Sequence, residues 1–210
     1  MNKKFIIAFS ALLLVIVAAI VAVVGVFAAQ QQRVANTFTI KYVANNVSAT
    51  INSHYQLKDQ IGITPFDEGN GISFNAGESS KTKLSTAPDI ELTATTNYVV
   101  FRFVIRNNNT AGGRSLLATL TDNAVQENVN VYYLFMGTND GITENGDYIP
   151  DTYEGAKTYG TTVCPTEPIE ILASQTGIFL IVVEIDDDTL EAQYTSKQEQ
   201  SVTITLNSAE

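Results

Sequence analysis

An acidic segment in the second half of the chain carries the residues whose types and spacing are best suited to chemistry. Residues 139–151 hold three Asp, one Glu, two Asn and two Gly within 13 positions. Calcium prefers about six to eight oxygen ligands, supplied by carboxylates and carbonyls on a flexible loop. Calcium is therefore the one candidate cofactor, and its candidate ligands are Asp140, Glu144, Asp147 and Asp151. The spacing is not that of an EF-hand, and the alternative is a solvated loop in which Gly and Asn supply positive φ angles.

The composition leaves few other groups for catalysis. The chain has one His, one Cys and no His-Glu-x-x-His motif, so it lacks the residues for a zinc cluster and for a recognisable Cys–His pair. His54 lies on the polar face of a strand pattern, where catalysis would also need a nucleophile or a metal. Cys164 has no partner for an internal disulfide, and we interpret it as buried, with a reactive thiol as the alternative. We therefore predict that the protein is not an enzyme.

The N-terminal segment predicts export. A start containing two lysines is followed by residues 5–29, which form 25 consecutive positions without a charge. This pattern is typical of an export signal, and it is also long enough to span a bilayer, which takes about 20 residues. Either a peptidase cleaves after Ala28 or Ala29, or the apolar helix stays as a membrane anchor. Residues 1–29 are thus a signal peptide or an anchor, and both alternatives place residues 30–210 outside the cytoplasmic membrane as one extracellular or cell-surface domain.

The charge of the chain excludes one class of partner. The 12 basic and 22 acidic residues give a net charge of −10, and loss of Lys3 and Lys4 with the signal leaves 10 basic residues and a charge near −12. Because nucleic-acid binding needs a basic face, we expect no nucleic-acid partner. Membrane contact is expected only through residues 5–29, if they are retained. The expected partners are other copies of the chain or neighbouring surface proteins.

Alternating hydrophobicity over residues 30–210 predicts an all-β fold. In the clearest strand, Tyr98–Arg106, four apolar residues point one way while Arg102 and Arg106 point the other. Phe179–Val183 is apolar on both faces, which predicts a central strand covered on both sides. About nine short strands indicate an antiparallel β-sandwich of jelly-roll or immunoglobulin-like type, preceded by one N-terminal apolar helix. The predicted core residues are Val99, Phe101, Phe103, Ile105, Val131, Tyr133, Phe179, Ile181 and Val183.

The connections between strands follow from turn residues. Thr37–Val43 and Val47–Tyr55 both alternate, and the intervening Asn45-Asn46 predicts that they form a hairpin. Residues 60–83 and 137–167 are rich in turn-forming residues and are predicted to be loops, the first with a brief strand pairing at Gly71–Phe74. A short strand is predicted at Ile90–Ala94. No amphipathic helix of useful length is expected after residue 30.

Several parts of the chain follow one another in the order of a known family. They are the two-lysine start with its long apolar signal, Asn36–Ile40 at the first strand, Val99–Asn109 ending in an Asn-rich turn, Ile169–Leu172 followed by a Gly-containing turn and Ile178–Asp188, and the last strand Val202–Leu206. In this order the chain resembles the TasA/camelysin-like exported proteins of Gram-positive bacteria, some of which build biofilm fibres. Members of that family usually carry an aromatic residue followed by Ser/Thr-Asp, whereas this chain has Phe27 followed by Ala28-Ala29-Gln30. The resemblance implies an exported β-sandwich protein of the cell surface or biofilm matrix.

Two functions are compatible with this pattern. The first is a structural protein of the surface or matrix, a fibre-forming subunit that assembles by β-strand pairing. In that function Gln30–Asn36, freed by cleavage, and the strand Thr37–Val43 add to the exposed edge of a neighbour, although the same strand can instead pair within its own subunit. The alternative is a membrane-anchored, adhesin-like binding module that presents the loops 60–83 and 137–167 from a rigid sandwich.

Overall fold

The structure is a computed structural model. It describes residues 37–60, 64–65, 71–76, 81–86, 90, 92, 95–123, 129–137, 152–185 and 199–209. All of these residues belong to one compact unit, formed by residues 35–193 and 197–210. The predicted apolar helix at residues 5–29 lies outside the described residues. Within the described ranges, no helix is long and apolar enough to cross a membrane.

Eleven strands and one helix make up the described part of the chain. In chain order they are β1 (Thr37–Asn45), β2 (Ala49–Leu57), β3 (Thr64–Pro65), β4 (Ile72–Phe74), β5 (Lys81–Thr86), β6 (Tyr98–Asn107), β7 (Leu116–Asp122), β8 (Val129–Phe135), α1 (Tyr153–Tyr159), β9 (Ile169–Ile171), β10 (Thr176–Ile185) and β11 (Glu199–Ser208). Three of these strands fall in the segment 60–83 that is predicted to be a loop: β3 and β4 lie inside it, and β5 begins inside it.

The strands form two sheets, which confirms the predicted all-β sandwich. The five-stranded sheet has the order β5-β1-β11-β7-β9, and the six-stranded sheet has the order β3-β2-β6-β10-β8, with β4 also paired to β2. All of these strand pairs are antiparallel except β1 with β11, which run parallel.

The main core lies between the inner faces of the two sheets. The ring of Phe38 in β1 stacks on the ring of Phe101 in β6, with centroids 4.0 Å apart. The buried hydroxyl of Tyr42 in β1 hydrogen-bonds the hydroxyl of Ser53 in β2, so this polar pair inside the core is satisfied. All nine predicted core residues are buried, and the most exposed of them, Val183, is only 8% exposed. Strand alternation therefore predicted the inward faces correctly.

A second, smaller core lies on the outer face of the six-stranded sheet. Strand β10 runs between β6 and β8, and its alternate residues Leu180 and Val182 are buried on the face opposite the main core. This confirms the prediction of a central strand covered on both sides. The cluster on that outer face comprises Val100, Leu134, Met136, Ala156, Leu180 and Val182.

Helix α1 covers this second core and corrects one prediction. It lies within residues 137–167, which are predicted to be a loop. Thr152 caps its N-terminus by accepting a hydrogen bond from the amide of Gly155 at 3.2 Å. With only 7 residues, the helix is too short for a periodic signal, and packing of the fully buried Ala156 on the sheet stabilises it.

The predicted hairpin between the first two strands is wrong. β1 lies in the five-stranded sheet between β5 and β11, whereas β2 lies in the six-stranded sheet. The chain crosses from one sheet to the other after Asn46, whose φ of 53° is in the left-handed region that Asn tolerates. Both sheets turn one face to the same core, so the alternation of apolar and polar residues is the same whether two strands form a hairpin or lie in opposite sheets. β1 thus pairs within its own chain through β5 and β11, and Gln30–Asn36 lies outside the described residues.

Candidate functional site

The predicted calcium ligands all lie outside the described residues, so the calcium site stays a prediction. These ligands are Asp140, Glu144, Asp147 and Asp151. The last described residue before them is Gly137, whose φ is +76°, and the next described residue is Thr152, the N-cap of α1. Among the residues that are described, no three His, Cys, Asp or Glu side chains lie close enough to hold a metal ion together.

A buried carboxylate on the outer face of the six-stranded sheet gathers three donors. Glu184, near the end of β10, is 9% exposed. It accepts hydrogen bonds from the hydroxyl of Tyr132 at 3.0 Å, from the hydroxyl of Tyr153, and from Nζ of Lys157 at 3.3 Å. We call these four residues the Glu184 cluster. A carboxylate buried to this extent requires such partners, because an unpaired buried charge is strongly destabilising.

Helix α1 supplies two of the three donors. Tyr153 and Lys157 are four residues apart, so their side chains lie on the same face of the helix. Lys157 Nζ also donates to the Tyr153 hydroxyl at 2.7 Å and lies 5.1 Å from the centroid of the Tyr153 ring. The Tyr153 ring in turn stacks on Tyr98 of β6, with centroids 3.9 Å apart. The cluster therefore fastens α1 to the sheet over the second core.

The electrostatics of the cluster favour its hydrogen-bonded form. Burial and the hydrogen bond to Glu184 raise the pKa of Tyr153 to about 12, although Lys157 lowers it. Hydrogen bonding to Tyr153 and to Glu184 raises the pKa of Lys157 above its usual value. At neutral pH the tyrosine is therefore protonated and the lysine charged, so both donate. The arrangement is suited to holding the helix in place rather than to exchanging protons.

A second polar cluster joins the end of β7 in one sheet to the middle of β8 in the other. The buried Tyr133 donates its hydroxyl proton to the carboxylate of Asp122. Burial and this bond raise the pKa of Tyr133 well above its usual range. Burial and the charge of Asp122 also raise the pKa of the nearby Cys164 thiol. Cys164 is partly buried, and a thiol with a raised pKa is a weak nucleophile at neutral pH. The structure thus favours the interpretation of Cys164 as a packed residue.

His54 lies on the outer side of β2, as the alternation of apolar and polar residues in this strand predicted. It lies opposite Arg102 of β6 and Pro65 of β3 in the strand register. Its Nδ1 atom is buried and makes no hydrogen bond within the described part of the chain. Nothing in this arrangement resembles the nucleophile–base geometry that catalysis requires.

The Glu184 cluster is not predicted by the sequence patterns, although one signal for it is present. Glu184 is the only charged residue in the otherwise apolar strand Thr176–Ile185. A lone charge in such a strand indicates a buried, paired carboxylate, but it does not identify the partners. The partners Tyr153 and Lys157 come from a helix that was itself not predicted.

The edges of the two sheets differ in how well they are protected. The β3–β4 edge includes Pro65, which has no backbone N–H to donate, and the carbonyl of Ser73 on this edge accepts a hydrogen bond from Lys83 Nζ at 2.7 Å. The edge of β8 is covered at its centre, where the backbone of Tyr133 exchanges two hydrogen bonds with Thr161, at 2.8 and 2.9 Å.

The two edges of the five-stranded sheet are more open. β5 has six residues and pairs only with β1 among the described strands, and its Leu84 is 65% exposed. β9 pairs only with β7 in the same part of the chain, and Leu172, which follows it, is 49% exposed. The buried side chain of Asn107 donates to the carbonyl of Ile171 at 3.0 Å, which fixes β9 to the other sheet. These two edges are the candidate sites for pairing with another strand.

The sequence matches no protein-family model, and it matches no curated protein.

Proposed function

We propose that this protein is an exported structural component of the cell surface or extracellular matrix, a subunit that assembles with other copies by β-strand pairing. The observation that carries the proposal is the outer edge of β5, with six residues and the exposed Leu84. An extended strand edge of this kind offers backbone donors and acceptors to a second chain.

The position of Lys83 supports the role of β5. A lysine on an edge strand normally discourages pairing with another chain. Lys83 instead points toward the sandwich, where Nζ donates to Ser73 and lies 5.2 Å from the centroid of the Phe74 ring. Its charge is thus occupied within the subunit. The outward-facing residues of β5 include Thr82 and Leu84, which present no charge to a partner.

Export is the second part of the proposal and rests on the N-terminal sequence. Residues 5–29 are uncharged and follow two lysines, a pattern that directs a chain across the cytoplasmic membrane. A protein released or displayed in this way reaches the compartment in which a matrix is built. We propose no enzymatic activity for it.

The assembly proposal is tested by fractionating cells that express the full chain and examining the secreted and surface fractions by negative-stain microscopy. We expect ordered fibres whose length or number increases with protein concentration, because intermolecular pairing follows mass action. A protein that sediments as a monomer over the whole accessible concentration range would contradict the proposal.

A second candidate function, an adhesin-like binding module, rests on one observation. Tyr159 and Val163 are 50% and 72% exposed on a segment that the Glu184 cluster and the Thr161 bridge hold in place. Rigidly presented aromatic and aliphatic side chains are common in binding surfaces. This function predicts a monomer retained in the membrane fraction with residues 5–29 intact. It also predicts that Val163→Asp abolishes adhesion of cells without changing the amount of protein.

A further inference from the structure

The two open edges of the five-stranded sheet run in opposite directions. β5 is antiparallel to β1, β11 is parallel to β1, and β7 and β9 each reverse the direction once more. β9 therefore runs in the direction of β1, and β5 runs against it. If a second copy is placed beside the first in the same orientation, its β5 meets β9 of the first copy as an antiparallel neighbour, the arrangement with the better backbone hydrogen bonds.

Charge disfavours contact between two β9 edges. β9 contains Glu170, which lies on the outer face of the sheet, and the exposed Glu167 lies just before β9, whereas β5 contains no acidic residue. Pairing β9 with another β9 would bring these carboxylates together, and pairing β9 with β5 does not.

The exposed apolar residues of the same edges also match. Leu84 lies on the outer face of β5, opposite Lys41 of β1 in the register. Leu172 has the same parity as Glu170, which lies opposite Leu117 on the outer face of the sheet. Two copies in the same orientation keep their outer faces on the same side. Leu84 of one copy and Leu172 of the next can then cover each other, so that both lose contact with water.

From these three observations we propose that the five-stranded sheet continues from one copy of the chain to the next, with β5 of one subunit paired antiparallel to β9 of its neighbour and Leu84 packed on Leu172. This inference rests on the proposed function and identifies the surfaces through which the subunits assemble. The contact joins two different surfaces, so it does not close on itself in a dimer and produces an open filament. The twist of the sheet makes that filament helical.

The test is disulfide trapping in the full chain. Leu84→Cys and Leu172→Cys are combined in a Cys164→Ser background, and the assembled protein is mildly oxidised. The two positions lie at opposite edges of a five-stranded sheet, about 19 Å apart at about 4.8 Å per strand spacing. A disulfide requires Cα atoms within about 7 Å, so a bond within one subunit cannot form. A second double variant, Leu84→Cys with Glu170→Cys, detects a pairing shifted by two residues.

We expect a ladder of covalent dimers, trimers and larger multiples from at least one of the two double variants. The matched control, Leu84→Cys with Thr158→Cys on α1, should give only the low level of linkage that random collision produces. A ladder no stronger than this control would overturn the inference. The two single variants Leu84→Cys and Leu172→Cys are also mixed and oxidised together. If Leu84→Cys alone gives dimers as efficiently as this mixture does, the inference is likewise overturned.

A charge variant gives an independent measurement. Leu172→Lys places a charge in the contact between Leu84 and Leu172 and is expected to reduce the sedimentable fraction about tenfold, which corresponds to a loss of about 1.4 kcal/mol from the contact. Thr158→Lys makes the same change in net charge on α1, away from both edges, and should assemble as the unmodified chain does. Equal assembly of the two variants would overturn the inference. Fibres that form without β5–β9 linkage would contradict this contact alone, whereas a chain that never assembles would contradict the proposed function as well.

Discussion

Removing one hydroxyl from the Glu184 cluster is expected to loosen helix α1. In Tyr153→Phe the ring remains, so its stacking on Tyr98 at 3.9 Å is preserved. The bond to the carboxylate of Glu184 is lost, together with the bond from Lys157. A hydrogen bond to a charged group contributes about 1.5–3 kcal/mol. Because Tyr132 and Lys157 still reach the carboxylate, we expect a loss at the lower end, about 1.5 kcal/mol in the free energy of unfolding.

The measurement is urea unfolding followed by far-ultraviolet circular dichroism, since the chain has no Trp. For a chain of this size the loss corresponds to a decrease in melting temperature of about 3–6 °C. Tyr159→Phe is the matched control, because it removes the same atom from the same helix at a residue that is 50% exposed. We expect this control to change stability by less than about 0.5 kcal/mol.

A double-mutant cycle separates the hydrogen bond from other effects of the substitution. If the hydroxyl acts through Glu184, Tyr153→Phe should cost much less in a Glu184→Gln background than in the unmodified chain. Amide hydrogen exchange in α1 should also be faster in Tyr153→Phe than in the unmodified chain, with a smaller change in the strands of the main core. Equal stability of Tyr153→Phe and Tyr159→Phe, or strictly additive costs in the cycle, would refute the reasoning.

Three other outcomes are expected. The pKa of Tyr153 is raised from 10.0 to about 12 in the folded protein. Its contribution to stability is therefore complete below pH 10 and is lost as the pH rises toward 12. Over this range, the free energy of unfolding should decrease less steeply with pH in Tyr153→Phe than in the unmodified chain. Calcium at millimolar concentration should raise the melting temperature if the predicted loop binds it, and Asp147→Ala combined with Asp151→Ala should abolish the increase; an increase that persists in this variant would place the ion elsewhere. Mass spectrometry of the exported protein should show a mature start near Ala29 or Gln30, whereas an intact N-terminus in the membrane fraction would favour the anchor.

Strand alternation predicted the faces of this fold but not its strand partners. Phe101 and Phe103 are buried as expected because period-two burial is a local property of a strand. One of the two partners of β1 is β11, and the Asn45 side chain donates to Asn207, 162 positions away. Nothing local to Asn45 specifies that contact. A turn residue such as Asn46 predicts that the chain changes direction, but not whether it returns to the same sheet.

The candidate site was less predictable than the fold. The short helix α1 exists because Ala156 packs on the sheet and because Tyr153 and Lys157 reach Glu184. Each of these contacts joins segments that are distant in the chain, so no window of sequence contains the complete signal. The open edge of β5 was missed for a related reason, since Leu84 lies among polar residues that resemble a loop.

The position of β11 determines when the five-stranded sheet can exist at all. β11 lies between β1 and β7, so a chain that has not yet reached residue 199 has only two separate pairs, β5–β1 and β7–β9. Isolated two-stranded pairs are marginally stable in water, and closing the long loop between β1 and β11 is slow because contacts between distant residues form late. A chain that emerges from its N-terminal end therefore leaves one edge of β1 unpaired until its last strand arrives. During that interval the unpaired edge is open to pairing with the wrong strand.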